Sequence, residues 1–337
     1  DIPTFYIDFQ GKQSGDPDYK STTRDVKKLI KKLKAQQVKA IVVDLRGNGG
    51  GSLEEARSLT GLFIDEGPMV QVKSARRRTS VLADQDSQIY WDGPLVVMVN
   101  RLSASASEIF AGAMQDYGRA VVIGNQTFGK GTVQTLIPLN RGQLKLTAAK
   151  FYRISGESTQ HQGVIPDISF PELYDSSKIG ESSHEDAMPW DTIRPANYQI
   201  YANIDPFLYP IREAHESRIK NNPDFVYFRA IADRNKLFAE RTHISLNEQE
   251  RRDEKSEDDK WRLNLENDLR KAKGKELAND LEELEELEEQ ESEEEREEDE
   301  LTSEDDLEKI EDDALIKEAG FIALDLIDTA NPIASTN

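Results

Sequence analysis

Over the first 170 positions, short apolar runs alternate with stretches whose apolar residues recur at helical spacing. Val38–Val43, Leu95–Val99 (LVVMV) and Ala120–Ile123 are of the first kind, and they suit strands buried on both faces of a parallel sheet. Val26, Leu29, Ile30 and Leu33 line one face of a helix over 24–36. Ile109, Phe110, Ala113 and Met114 do the same over 105–117, and a further helix fits 53–63. The alternation predicts an α/β domain. Residues 1–10, 69–73, 87–91, 132–139, 144–154 and 168–170 read as further short strands, and 11–20 as a polar loop.

The pattern changes after about residue 172. A linker is expected over 173–206, with the polar run DSSKIGESSHEDA at 175–187. From 207 to 337 the chain reads as an acidic, mainly helical domain. Phe207, Ile211, His215 and Ile219 recur every four residues, and a second helix fits 225–238. Residues 281–300 hold 14 acidic side chains and one arginine. Like-charge repulsion predicts a solvated arm there, disordered over about 285–300. Leu281, Leu284 and Leu287 are too few for a coiled coil. The apolar patch at 319–326 (AGFIALDL) is suited to dock on a folded domain.

Composition removes several classes of function. A net charge of −21 argues against DNA or RNA as a partner. With no cysteine there is neither a disulfide nor a thiolate site, and the histidines at 161, 184, 215 and 243 lack ligand spacing. No stretch approaches the roughly 18 apolar residues of a membrane span. The chain begins within a strand-like segment, which suggests a fragment or a processed product.

Two stretches carry candidate chemistry. In the first, the apolar run at 95–99 leads into Ser105, which forms the capping-box pattern Ser-x-x-Glu with Glu108. Free N–H groups at such a helix start stabilise developing negative charge. A serine there serves as a nucleophile if a base reaches it; otherwise it is an ordinary cap. Lys130 lies in the turn Thr127-Phe128-Gly129-Lys130-Gly131. A lysine acts as the base only when neutral, a state that burial favours; a solvated turn lysine is the plainer alternative. In the second stretch, DLRGNGGG at 44–51 follows a strand with four glycines in five residues. That run is either a tight turn or a nest of N–H groups. Asp44 and Arg46 can brace it. Gly124-x-x-x-x-Gly129-Lys130 imitates a phosphate-binding loop, but Gly131 stands where that motif needs Ser or Thr, and strand-forming residues follow in place of a helix.

Together these pieces resemble the tail-specific, or C-terminal processing, proteases. The matching segments are DLRGNGGG at 44–51, SASASE at 103–108, QDYGRAVVIG at 115–124, TFGKGTVQ at 127–134 and GVIPDI at 163–168. Their order and spacing are more specific than any one of them, and the resemblance extends through the acidic C-terminal region. It implies a serine–lysine dyad with Ser105 as nucleophile and Lys130 as general base, and Gln134 orienting the lysine. Backbone N–H groups of Gly51 and Ala106 would form the oxyanion hole, with no metal or other cofactor. It also implies a ClpP/crotonase-like α/β core over 1–172. The substrates would be polypeptides with apolar C-terminal tails, processed in the periplasm, at the inner-membrane periphery, with help from an adaptor lipoprotein. The family's substrate-capturing PDZ domain has no counterpart in these residues. Two rival readings remain at this point: a helical scaffold that retains an inactive α/β core, and a crotonase-like acyl-CoA enzyme that uses the 49–51 N–H groups on a thioester.

Overall fold

The computed structural model describes residues 1–75, 77–84, 87–201, 203–301 and 313–330. Arg76, part of the basic turn at 76–78, lies outside the described residues. The chain forms two compact units. The first holds residues 1–170, 176–213 and 321 onward; the second holds 171–175 and 214–320.

Two sheets organise the first unit. One is parallel throughout, in the order β1 (Ile41–Asp44), β4 (Leu95–Val99), β5 (Val121–Gly124) and β8 (Ile168–Ser169). Every residue of β4 and β5 is buried, as continuous apolar runs require when both faces are covered. The other sheet is antiparallel, in the order β3 (Ser80–Ala83), β2 (Pro68–Lys73), β7 (Gln143–Tyr152) and β6 (Thr132–Pro138). Helices α2 (Thr22–Ala35), α3 (Leu53–Thr60) and α4 (Ala106–Asp116) supply Ile30, Leu59 and Phe110 to a core that also contains Leu95 and Val97.

This architecture corrects the expected ClpP/crotonase-like core. The fold is α/β, but its strands divide between a parallel and an antiparallel sheet. The long β6–β7 hairpin pairs from Thr132↔Lys150 to Pro138↔Gln143, which commits those strands to the second sheet.

Three local expectations also change. Residues 1–10 form no regular strand. Phe5 and Ile7 make isolated bridges to Gly51 and Ser21, and Asp8 then caps the short helix α1 (Phe9–Ser14) through the N–H groups of Gln10 and Gly11. Helix α2 is capped by Ser21, not by Thr22 or Thr23. No strand forms among the described residues of 87–91, where Tyr90 and Trp91 both donate from backbone N–H to the Leu62 carbonyl.

The second unit is helical. It contains α6 (Pro223–Ala239), α7 (Glu248–Lys273) and α8 (Leu281–Leu301), together with part of α5 (Asp205–Ile219) and the start of α9 (Ala314–Ala330). The acidic run at 281–300 lies within α8, where Leu284 is fully buried and Glu291 is held by Arg270 and Lys275. His215 and Arg218 of α5 meet Glu318 of α9 at 2.9 and 2.7 Å.

Candidate active site

Strand β4 ends at Val99, and six residues later the chain enters α4 through Ser105. Helix-capping residues ordinarily have extended backbone. Ser105 instead has φ 56° and ψ −107°, a conformation that costs an L-residue about 1–3 kcal/mol. Neighbouring bonds hold it there. The Ser103 hydroxyl donates to the Leu45 carbonyl at 2.8 Å, and the Ala104 N–H donates to the Asn48 carbonyl at 3.0 Å. The Ser107 hydroxyl reaches the same Asn48 carbonyl at 2.9 Å.

Those bonds seat the glycine run directly on the serine turn. A methyl group at Gly50 would lie 2.7 Å from the Ala104 carbonyl oxygen and 2.9 Å from Ser105 Cβ, so only glycine fits. The Asn48 side chain fixes the run from both sides: its amide donates to the Ile2 carbonyl at 2.7 Å and its oxygen accepts from the Gly50 N–H at 2.8 Å. Asp44 and Arg46 form the bracing pair, at 2.7 Å. Among the described residues, neither the Gly51 N–H nor the Ala106 N–H donates a hydrogen bond.

The Lys130 turn folds back onto the same point, joined by one buried carboxylate. Glu108 Oε2 accepts from the N–H of Ser105 at 2.8 Å and from that of Lys130 at 2.9 Å. Oε1 accepts from the Thr127 hydroxyl and the Gly129 N–H, both at 2.6 Å. Burial drives the pKa of Glu108 up from 4.5 to about 7, against these four hydrogen bonds, which favour the charged form. Both Ser105 and Lys130 are half-buried.

The structure therefore brings Ser105, Lys130 and the glycine run together, and Ala106 follows as the first residue of α4. Gln134 lies farther along, exposed on β6, and its side chain makes no hydrogen bond to Lys130. The residue whose role the sequence concealed is Glu108. Its carboxyl accepts from the Ser105 N–H as a capping box requires, but the same carboxyl also anchors the lysine turn 22 positions on. One signal was available: Glu108 is the sole charge across 106–114, a stretch otherwise apolar or small.

This geometry can be compared with known proteins. A model of peptidase family S41 matches residues 2–170. The chain belongs to that family. A second model, the C-terminal domain of tail specific protease, matches residues 174–328 of this S41 chain. A tail-specific protease of Haemophilus influenzae is 43% identical over 295 residues, covering 84% of the chain and 41% of that protein. A carboxy-terminal-processing protease of Bartonella bacilliformis is 41% identical over 165 residues, covering 47% of the chain and 38% of that protein. The chain thus spans less than half the length of these curated relatives. Among solved structures, a photosystem II D1 C-terminal processing protease is 30% identical, with a TM-score of 0.44 over 52% of the chain and 42% of its own. The family is one of peptidases, and the two curated relatives are proteases that act at C-terminal tails or ends. No described helix is long and apolar enough to cross a membrane.

Proposed function

We propose that this chain carries the catalytic machinery of a tail-specific serine endopeptidase. The reading rests on one observation: a single Glu108 oxygen accepts from the N–H groups of both Ser105 and Lys130. Two distant backbone positions are thereby held at one point. The strained Ser105 backbone and the glycine run packed against it supply further support.

The reaction proceeds by acyl transfer. The neutral Lys130 amine takes the Ser105 hydroxyl proton as the oxygen attacks the substrate carbonyl. The Gly51 and Ala106 N–H groups stabilise the tetrahedral oxyanion. The resulting Lys130 ammonium returns its proton to the leaving amine, which departs and leaves an ester on Ser105. Water, deprotonated by Lys130, then releases the acid and restores the hydroxyl. Gln134 orients the lysine. The substrates are polypeptides with apolar C-terminal tails in the periplasm, at the inner-membrane periphery, and an adaptor lipoprotein assists their delivery.

Digestion of an unstructured polypeptide ending in apolar residues tests this. Cleavage by the chain is expected to fall at least about 1,000-fold with Ser105→Ala or Lys130→Ala. Undiminished cleavage by either variant overturns the dyad.

A further inference from the structure

Residues 176–184 read in sequence as part of a polar linker, and they lie within the match to the C-terminal domain model rather than the peptidase model. In the structure they belong to the first unit and lie against the turn that carries Lys130.

The bonds of that turn fall into two sets. Its N–H groups are held from within the peptidase core: Thr127 by the Val164 carbonyl, Phe128 by the Ser103 carbonyl, and Gly129 and Lys130 by Glu108. Of its carbonyls, those of Gly129 and Gly131 accept from the core N–H groups of His161 and Phe151, both at 2.9 Å, and those of Phe128 and Thr127 meet the 176–184 segment and the arginine that grips it. The Phe128 carbonyl accepts from the Glu181 N–H at 2.9 Å. The Thr127 carbonyl accepts from Arg101 Nη1 at 2.7 Å, and Arg101 grips the 176–184 segment as well. Its Nε donates to the Ile179 carbonyl at 2.6 Å, and its Nη2 to the Ser176 carbonyl at 3.3 Å. The Glu181 carboxylate adds a third tie. It accepts from the Gln160 amide at 2.9 Å, and Gln160 Oε1 in turn accepts from the Gly131 N–H at 2.9 Å.

The fit is close. Gly180 has φ +129°, and a methyl group there would lie 2.1 Å from Arg101 Nη2. Arg101 is only 2% exposed and stands four residues before Ser105. One buried cation thus touches the serine's own loop, the lysine turn and the segment that follows the core.

We propose that residues 176–184 form a strap that positions Lys130, with Arg101 and Glu181 as its positioning residues. The inference builds on the dyad reading and extends it. Without the strap, the N–H side of the turn stays anchored to Glu108, so the fold persists. The peptide plane that follows Phe128 then loses its outer restraint, and the position of Lys130, two residues on, is fixed less closely relative to Ser105. Displacements of about 1 Å at a reacting group cost on the order of 100-fold in rate.

The test combines Glu181→Ala with the conservative Glu181→Gln in the full chain. Hydrolysis of a small activated ester is followed, and amide exchange of 127–131 is followed in a Ser105→Ala background. Glu181→Ala is expected to lower kcat about 10-fold with KM within about twofold. It is also expected to speed exchange at Gly131. Glu181→Gln keeps an acceptor for Gln160 and is expected to restore both. Unchanged kcat and exchange in Glu181→Ala, beside a parent chain that is acylated at Ser105, overturn the strap alone. A parent chain not acylated at Ser105 overturns the dyad and the strap together.

Discussion

The two sheets of the first unit are built from similar residues and put to opposite use. In the parallel sheet, β4 and β5 are buried at every position, and their carboxyl ends deliver Ser105 and the Lys130 turn. In the antiparallel sheet, β6 and β7 are exposed over most of their length, with Leu136, Ile137, Leu144 and Leu146 each at least 40% exposed. Strands β4 and β5 are closed to solvent and so hold their loops to fixed places. The second sheet presents a ribbon whose apolar side chains contribute little to the fold. Precision at the site follows from the first sheet, while the second remains available as surface.

Substitutions can break this contrast at known points. The largest effect is expected at Gly124, the last residue of β5, where φ is +116° and a methyl group would lie 2.0 Å from the Val99 carbonyl oxygen. Gly124→Ala must part β4 from β5, and is expected to cost more than about 4 kcal/mol in denaturant unfolding; a loss below about 1 kcal/mol would mean that the parallel sheet is softer than its burial implies.

Next comes Glu108, which ties the two sheet ends together. Its folded pKa is raised from 4.5 to about 7. Its contribution is therefore complete below pH 4.5, is lost as pH rises to about 7, and stays level beyond. The stability of the parent chain minus that of Glu108→Gln is expected to fall by about 3 kcal/mol over that window. Urea unfolding of both chains at pH 4.5 and pH 8 measures it, and a difference that rises with pH would reverse the assignment.

Val97→Ala, at a fully buried position of β4, is expected to cost about 2–3 kcal/mol. Leu146→Thr on β7, where Leu146 is 49% exposed, is expected to change stability by less than about 0.5 kcal/mol. Comparable losses at these two positions would show the ribbon to be a packed part of the fold.

Much of the parallel sheet and of the site is legible in the amino-acid sequence. Leu95–Val99 and the glycine run announce themselves because burial and tight backbone approach restrict residue type locally. Ser105 and Lys130 emerge from the order of short motifs. Residues 1–10 mislead, since alternation alone cannot tell whether a strand has a partner, and only single bridges form at Phe5 and Ile7. Glu108 reads as a cap and not as the clamp on a turn 22 positions away, because four donors converge on it only after folding. The 176–184 strap is hidden for a related reason. Its ties to the turn run largely through backbone groups, whose partners leave no mark on residue type.

The first unit is not continuous along the chain. Its main body ends at 170, and its last part, beginning at Phe321 and including the buried Ile322, Ala323 and Leu326, comes 150 residues later. At roughly 5–20 residues per second of synthesis, the body of the unit waits on the order of 10–30 s for that helical segment. Until then the unit lacks the apolar side chains that the segment adds, and a pause in translation within the acidic helices would lengthen the interval.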